Sequence, residues 1–181
     1  MRMWKTLTFA VAAVMLLAAR PAAAFDPENT LILELAWGTV VIEMHPDMAP
    51  RHVARIKELV RKGFYDGTVF HRVIPKFMAQ AGDPTGTGEG GSGQKIAAEF
   101  NGDTFTRGAV GMARTSQINS ADSQFFIMLG TATHLDGKYT NWGRVIEGMD
   151  NVDKITKGEG DGGVVSVPDK IVRMRVAADV K

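Results

Sequence analysis

Residues Leu31 to Met44 read LILELAWGTVVIEM. Two runs of apolar and β-branched residues are broken at Trp37-Gly38, and runs of that kind around a turn signal predict a β-hairpin. Downstream, His45 to Gly67 (HPDMAPRHVARIKELVRKGFYDG) changes period. Met48, Val53, Ile56, Leu59 and Val60 recur at helical spacing, Pro50 suits a first helical turn and Gly63 suits the stop. The opposite face carries Arg51, Arg55, Lys57, Glu58, Arg61 and Lys62, which read as a solvated face. Short apolar runs then follow one another with turn signals between them: TVFHRVI, FMAQ, AVGMA, SQFFIML, NWGRVI and KIVRMRVA. Many short strands at such spacing predict a closed barrel or a sandwich. GMDNVDKITKG, with Met149, Val152 and Ile155 three apart, adds a short second helix. The sum is an antiparallel β domain with two helices.

Upstream of the hairpin the composition changes. Arg2 and Lys5 precede the apolar run Thr6 to Ala19, and RPAAAF follows it. A positive start, a short apolar core and small residues at a cut site describe a secretory signal. The run is shorter than the roughly 20 residues that span a bilayer. Residues 1–24 are therefore expected to be cleaved after Ala24, with no stable membrane anchor, leaving one domain over 25–181. Export follows: to the periplasm where the cell has two membranes, otherwise to the medium. Losing Arg2, Lys5 and Arg20 leaves 18 basic against 20 acidic residues, a net charge of −2 in place of +1. A near-neutral chain without a basic block has no electrostatic footprint for nucleic acid. The absence of cysteine excludes disulfide stapling and thiol chemistry. One hydrophobic core must hold the domain together, and a monomer is the default.

The polar residues narrow the chemistry further. The loop Gly82 to Gly93 (GDPTGTGEGGSG) lacks the Gly-Lys-Ser/Thr of a P-loop, and its charges, Asp83 and Glu89, would repel phosphate. It reads as a surface loop able to sit close to a ligand. His45, His52, His71 and His134 have no metal-ligand spacing, so neither a metal nor another cofactor is expected. His71 and Arg72 alternate on a strand and face opposite ways. If Arg72 faces a groove, His71 reads as a hydrogen-bonded structural residue. Ser120 and Ser123 have no base near them in sequence. What remains is Phe70 to Asp83, FHRVIPKFMAQAGD, with one arginine and one glutamine among apolar residues. By residue type alone a Phe-Met pair is more often core than binding surface.

Together with GAVGMAR (Gly108 to Arg114), SQFFI (Ser123 to Ile127) and HLDGKYTNWGRV (His134 to Val145), that stretch resembles the cyclophilins, a family of peptidyl-prolyl cis–trans isomerases. The early segment Gly38 to Gly67 also has the family's strand, helix and loop, so the resemblance runs from about Thr30 to Val176. It implies a mainly β fold, a closed eight-stranded antiparallel barrel capped by two α-helices. It also implies an enzyme that rotates X-Pro peptide bonds in exported or unfolded polypeptides and assists their folding, or, as the alternative, a non-catalytic peptide-binding or chaperone module using the same groove. Its partners would be proline-containing polypeptides. By motif position Arg72 matches the catalytic arginine, and Phe77, Met78, Phe126 and Leu135 match the proline pocket. Gln80 and Gln124 fall where the family holds substrate backbone, and Ala113 with Arg114 where main-chain atoms line the groove. His134 stands where many members have tryptophan, which implies weak cyclosporin binding. Tyr139 stands where many have histidine, and Arg114 replaces a common asparagine.

Overall fold

The computed structural model describes residues 26–180. The expected signal segment lies outside the described residues. Among the described residues no helix is long and apolar enough to cross a membrane.

The predicted hairpin is β1 (Thr30–Leu35) against β2 (Gly38–Met44), with Leu35 opposite Gly38 and Ala36-Trp37 as the turn. Alternation sends Leu31, Leu33, Val40, Ile42 and Met44 to the interior. Trp37 leaves the ladder, and its Nε1 donates to the Asn151 carbonyl at 2.9 Å. Gly38 permits that approach, since a Cβ there would sit 2.5 Å from Asn151 Nδ2.

Helix α1 (Pro50–Arg61) starts at the proline and buries His52, Val53, Ile56, Leu59 and Val60. Proline lacks an N–H that the first turn could not satisfy anyway. Gly63 follows at φ 68°, a conformation that favours glycine. Met48 falls before the helix. The solvated face needs one correction: Arg55 has a side chain only 9% exposed, bonded to Glu58 and to Ser92 Oγ at 2.8 Å. The glycine-rich loop reaches back to the helix at that point, a long-range contact that helical periodicity does not encode. Glu99 supplies what the cap residue Ala49 lacks, accepting from the backbone N–H groups of Arg51 and His52 at 3.1 and 2.9 Å. Burial alone would raise its pKa, but these bonds and one from the His52 ring outweigh burial and hold the carboxyl at about 2.

The remaining strands are β3 (Arg72–Ile74), β4 (Met78–Ala81), β5 (Ala109–Met112), β6 (Phe125–Met128), β7 (Asn141–Glu147) and β8 (Arg173–Val176). All pairings are antiparallel, in the order β3-β4-β6-β5-β7-β2-β1-β8. The second helix, α2 (Met149–Asp153), packs on β2, and α1 packs on β8. The eight-stranded, two-helix expectation therefore holds, but full closure of the barrel is overstated. The end strands β3 and β8 share no ladder. Isolated bridges, Val69 with Lys170 and Arg72 with Val164, span the seam instead. The chain entering β8 carries Gly162, Gly163 and Pro168, residues that weaken or interrupt a ladder.

The interior is filled by large side chains, among them Tyr65, Phe70, Phe125 and Trp142. Burial pushes the Tyr65 phenol pKa up, and its hydroxyl donates to the Ser123 carbonyl at 3.0 Å.

Candidate active site

Strands β4 and β6 send alternate side chains to two different places. Ala79, Ala81, Phe125 and Ile127 join the barrel core, whereas Met78, Phe126 and Met128 join a second apolar cluster with Phe105, Ala109 and Leu135. Residues directly opposite across a ladder share a face. Arg72 pairs with Gln80, Gln80 with Phe126, and Phe126 with Gly111, so these four form one row across β3, β4, β6 and β5. Gly111 completes the row because a Cβ there would come within 2.4 Å of Phe126 Cζ and 2.6 Å of Phe105 Cε1.

A cavity of about 310 Å³ opens beside this row. Its walls include nine of the expected site residues: Arg72, Phe77, Met78, Gln80, Ala113, Arg114, Phe126, Leu135 and Tyr139. Gln124 lines an adjoining cavity that shares Gln80, Ala113 and Arg114. His134 lines neither cavity; it is exposed, with its ring centroid 5.7 Å from that of Phe77.

The polar groups form one directed chain. Arg72 Nε donates to the Gly162 carbonyl at 2.9 Å, and one Nη lies 3.4 Å from Gln80 Oε1. Gln80 Nε2 donates to Gln124 Oε1 at 2.8 Å, and Gln124 Nε2 donates to the carbonyls of Gly88 and Gly90 at 2.9 and 2.8 Å. Each amide accepts on one side and donates on the other, so both orientations are consistent along the chain. Arg72 is thus anchored at Nε while Nη donors remain for a ligand. The Ala113 N–H is committed to the Gln124 carbonyl at 2.9 Å. Arg114 brings its side chain to the groove wall, where its guanidinium lies over the Tyr139 ring.

The glycine loop is a built wall. Asp83 is fully buried and accepts from the N–H groups of Thr85, Gly88 and Gly90 and from Thr85 Oγ1. Burial raises its pKa, but those donors outweigh burial and hold it at about 2. Asp83 therefore organises the loop rather than offering a charge to solvent. His71 differs from expectation in a related way. It is buried beside Gly88, and burial pushes its pKa down. Its ring approaches the Val69 backbone and Gln124 without meeting hydrogen-bond geometry, and neither nitrogen has a partner among the described residues.

Sequence reasoning missed the third wall, Val164 and Val165, and the carbonyl of Gly162 that anchors Arg72. A signal existed in the glycine-dense GEGDGGVV. A Cβ on Gly163 would lie 2.4 Å from Ile74 Cγ1, so only glycine lets this segment approach β3.

The site thus joins, on one eight-stranded antiparallel sheet, the Arg72 guanidinium, two linked amides and an apolar cavity, with a second guanidinium, that of Arg114, in the cavity wall. The model of the cyclophilin type peptidyl-prolyl cis-trans isomerase/CLD family matches residues 30–176, and the chain belongs to that family. It is 51% identical over 177 residues to a Brucella suis protein named "Probable peptidyl-prolyl cis-trans isomerase", covering 91% of this chain and 90% of that one. Among solved structures, cyclophilin AquaCyp293 from Hirschia baltica superposes with a TM-score of 0.77 at 31% identity, over 86% of this chain and 76% of that chain. A Cryptosporidium parvum cyclophilin type isomerase, crystallised in the presence of the dipeptide Ala-Pro, gives 0.75 at 27% identity, over 81% and 98% of the two chains. The protein is an enzyme of the rotamase class, catalysing cis–trans isomerisation of peptidyl-prolyl bonds.

Proposed function

We propose that Arg72 is the catalytic group, that Phe77, Met78, Phe126, Leu135 and Tyr139 hold the proline ring, and that Gln80 and Gln124 hold the backbone next to it. The observation that carries this is the row Arg72-Gln80-Phe126, which puts a guanidinium with unused Nη donors beside an apolar cavity.

The bond before proline resists rotation because of amide resonance, with an uncatalysed barrier of roughly 18–20 kcal/mol. As it twists, conjugation is lost and the nitrogen lone pair becomes a hydrogen-bond acceptor. A guanidinium over that nitrogen bonds the twisted form and not the planar one, which is differential binding of the transition state. Arginine suits the task because it stays charged and its donors are rigid. A charge-assisted hydrogen bond is worth about 1.5–3 kcal/mol, hence about 10- to 150-fold in rate. Desolvation in the apolar cavity adds to it, since the planar amide is more polar than the twisted one. Fixing the ring and the neighbouring carbonyl also lets one end turn against the other.

The substrates we propose are proline-containing segments of unfolded or newly exported polypeptides, met in the periplasm or outside the cell. The signal-like composition of residues 2–24 supports this setting, and a start at Phe25 in protein recovered after export would test it. For the chemistry, cis–trans exchange of an Ala-Pro peptide is measured by NMR with the Arg72→Ala variant in parallel. The expected result is strong acceleration by the wild type and at least about tenfold loss in the variant. Equal acceleration by both proteins would remove Arg72 from the mechanism.

A further inference from the structure

The guanidinium of Arg114 lies between two aromatic rings. Its Cζ is 4.7 Å from the Tyr139 centroid and 5.8 Å from that of Phe100. Its edge is occupied as well: Nε and Nη2 donate to the Lys138 carbonyl at 3.0 and 2.8 Å, and Nη1 donates to the Thr115 carbonyl at 2.8 Å. All three bonds go to neutral carbonyls, which leaves the charge facing the rings. Tyr139 in turn meets Phe126 edge-on, with centroids 5.8 Å apart and planes at 82°. Phe126 is backed on its other contact by Phe105, 5.6 Å away.

A stack therefore runs from Arg114, in the wall shared by the two cavities, through Tyr139 to the Phe126 ring. Lys138 directly precedes Tyr139, so one guanidinium fixes both the face of that ring and the backbone leading to it. Tyr139 otherwise sits half-buried at the end of a tight turn, its N–H donating to the Leu135 carbonyl at a long 3.2 Å. Removing the cation would free the tyrosine to change rotamer and leave Phe105 as the ring still packed against Phe126.

We infer that Arg114 is a positioning residue for the isomerisation, acting through Tyr139 to hold the Phe126 ring in place at the proline cavity. The inference rests on the groove reading proposed above. It makes Arg114 part of the pocket's rigidity, a role distinct from main-chain contact with the substrate. Phe100, an exposed aromatic with no other evident use, becomes the second face of the same clamp.

The aromatic ring contacts proline in the ground state and in the transition state alike, so loosening it weakens both. Arg114→Ala should therefore raise KM for an Ala-Pro peptide about two- to fivefold, the scale of one exposed cation–π contact, with kcat changed less than KM. Tyr139→Leu should do the same. The double variant should be no worse than the poorer single, because both break one stack. Arg114→Lys keeps the cation without the fork and should recover only part of the loss. Aromatic NMR signals of Phe126 should shift in Arg114→Ala while the Tm stays near that of the wild type. Arg114→Gln, which keeps the side-chain stem, gives the same reading if the alanine variant melts early. KM factors that multiply in the double variant, or a wild-type KM in a folded Arg114→Ala protein, would overturn the inference. If the wild type binds peptide without turnover, the groove reading fails separately, and the same cycle read as Kd still decides whether the stack exists.

Discussion

Strands β4 and β6 have two apolar faces, and the two differ in what covers them. Inward, Phe125 is fully buried, with Tyr65 and Trp142 edge-on at 5.6 and 6.1 Å. Outward, Phe126 is 5% exposed, yet its neighbours Phe105 and Tyr139 cover it only in part and leave a cavity of about 310 Å³. The residue types are the same and the burial nearly so. A core and a binding site are thus separated here by closure rather than by hydrophobicity: the barrel seals one face, and three loops wall the other without roofing it.

The sharpest way to break this comparison is to truncate each phenylalanine. Phe125→Ala should cost about 3–5 kcal/mol of stability, the transfer loss plus a sealed cavity, read by urea denaturation. Phe126→Ala opens onto a cavity that already exists, so it should cost nearer the transfer loss alone, about 1.5–3 kcal/mol, while its kcat/KM falls much further than that of any folded Phe125 variant. Equal stability losses and equal activities would show that the two faces are not different in kind.

A smaller change tests the outer face alone. Gly111→Ala adds a methyl that must push on Phe126 and Phe105, at about 1–3 kcal/mol for overpacking. Because Phe126 can yield toward the open side, the loss should appear mainly in turnover of the Ala-Pro peptide. Unchanged turnover would mean that the ring's position is not critical.

The acid limb of stability compares the polar supports of the outer wall with those of the helix. Asp83 and Glu99 are held at about 2, below ordinary carboxylates near 4. A lowered folded pKa stabilises the fold fully above the unfolded value, and that gain is lost as pH falls toward the folded value. Tm should therefore drop between about pH 4 and pH 2. Asp83→Asn should flatten part of that drop and slow turnover through a looser glycine loop, which melts across this range would reveal.

The smallest effect should come from Lys76, the non-glycine residue with positive φ (61°) among those described, in the turn before Phe77. A left-handed conformation costs an L-residue roughly 1–2 kcal/mol. Lys76→Gly relieves that strain but adds freedom to the unfolded chain, so the net gain should be about 1 kcal/mol or less. Denaturation midpoints measure it, and peptide turnover should not move.

Much of this molecule is written in local patterns. The alternation around Trp37-Gly38, the spacing from Val53 to Val60 and the ordered motifs from Phe70 to Val145 specify the hairpin, the helix and the family, because period and turn chemistry are properties of neighbouring residues. Those motifs also name Arg72, Gln80 and Phe126. Apolar pattern by itself, without the motif match, does not say which of two adjacent phenylalanines, 125 or 126, is core. It does not reveal that Arg55 leaves its helix's solvated face for Ser92, that Asp83 organises a loop, or that Gly162 and Val164 from the far end of the chain complete the site. The unladdered seam between β3 and β8 was equally out of reach. Each of these was decided by contacts between residues distant in sequence, where what a side chain does depends on which other segment closes over it.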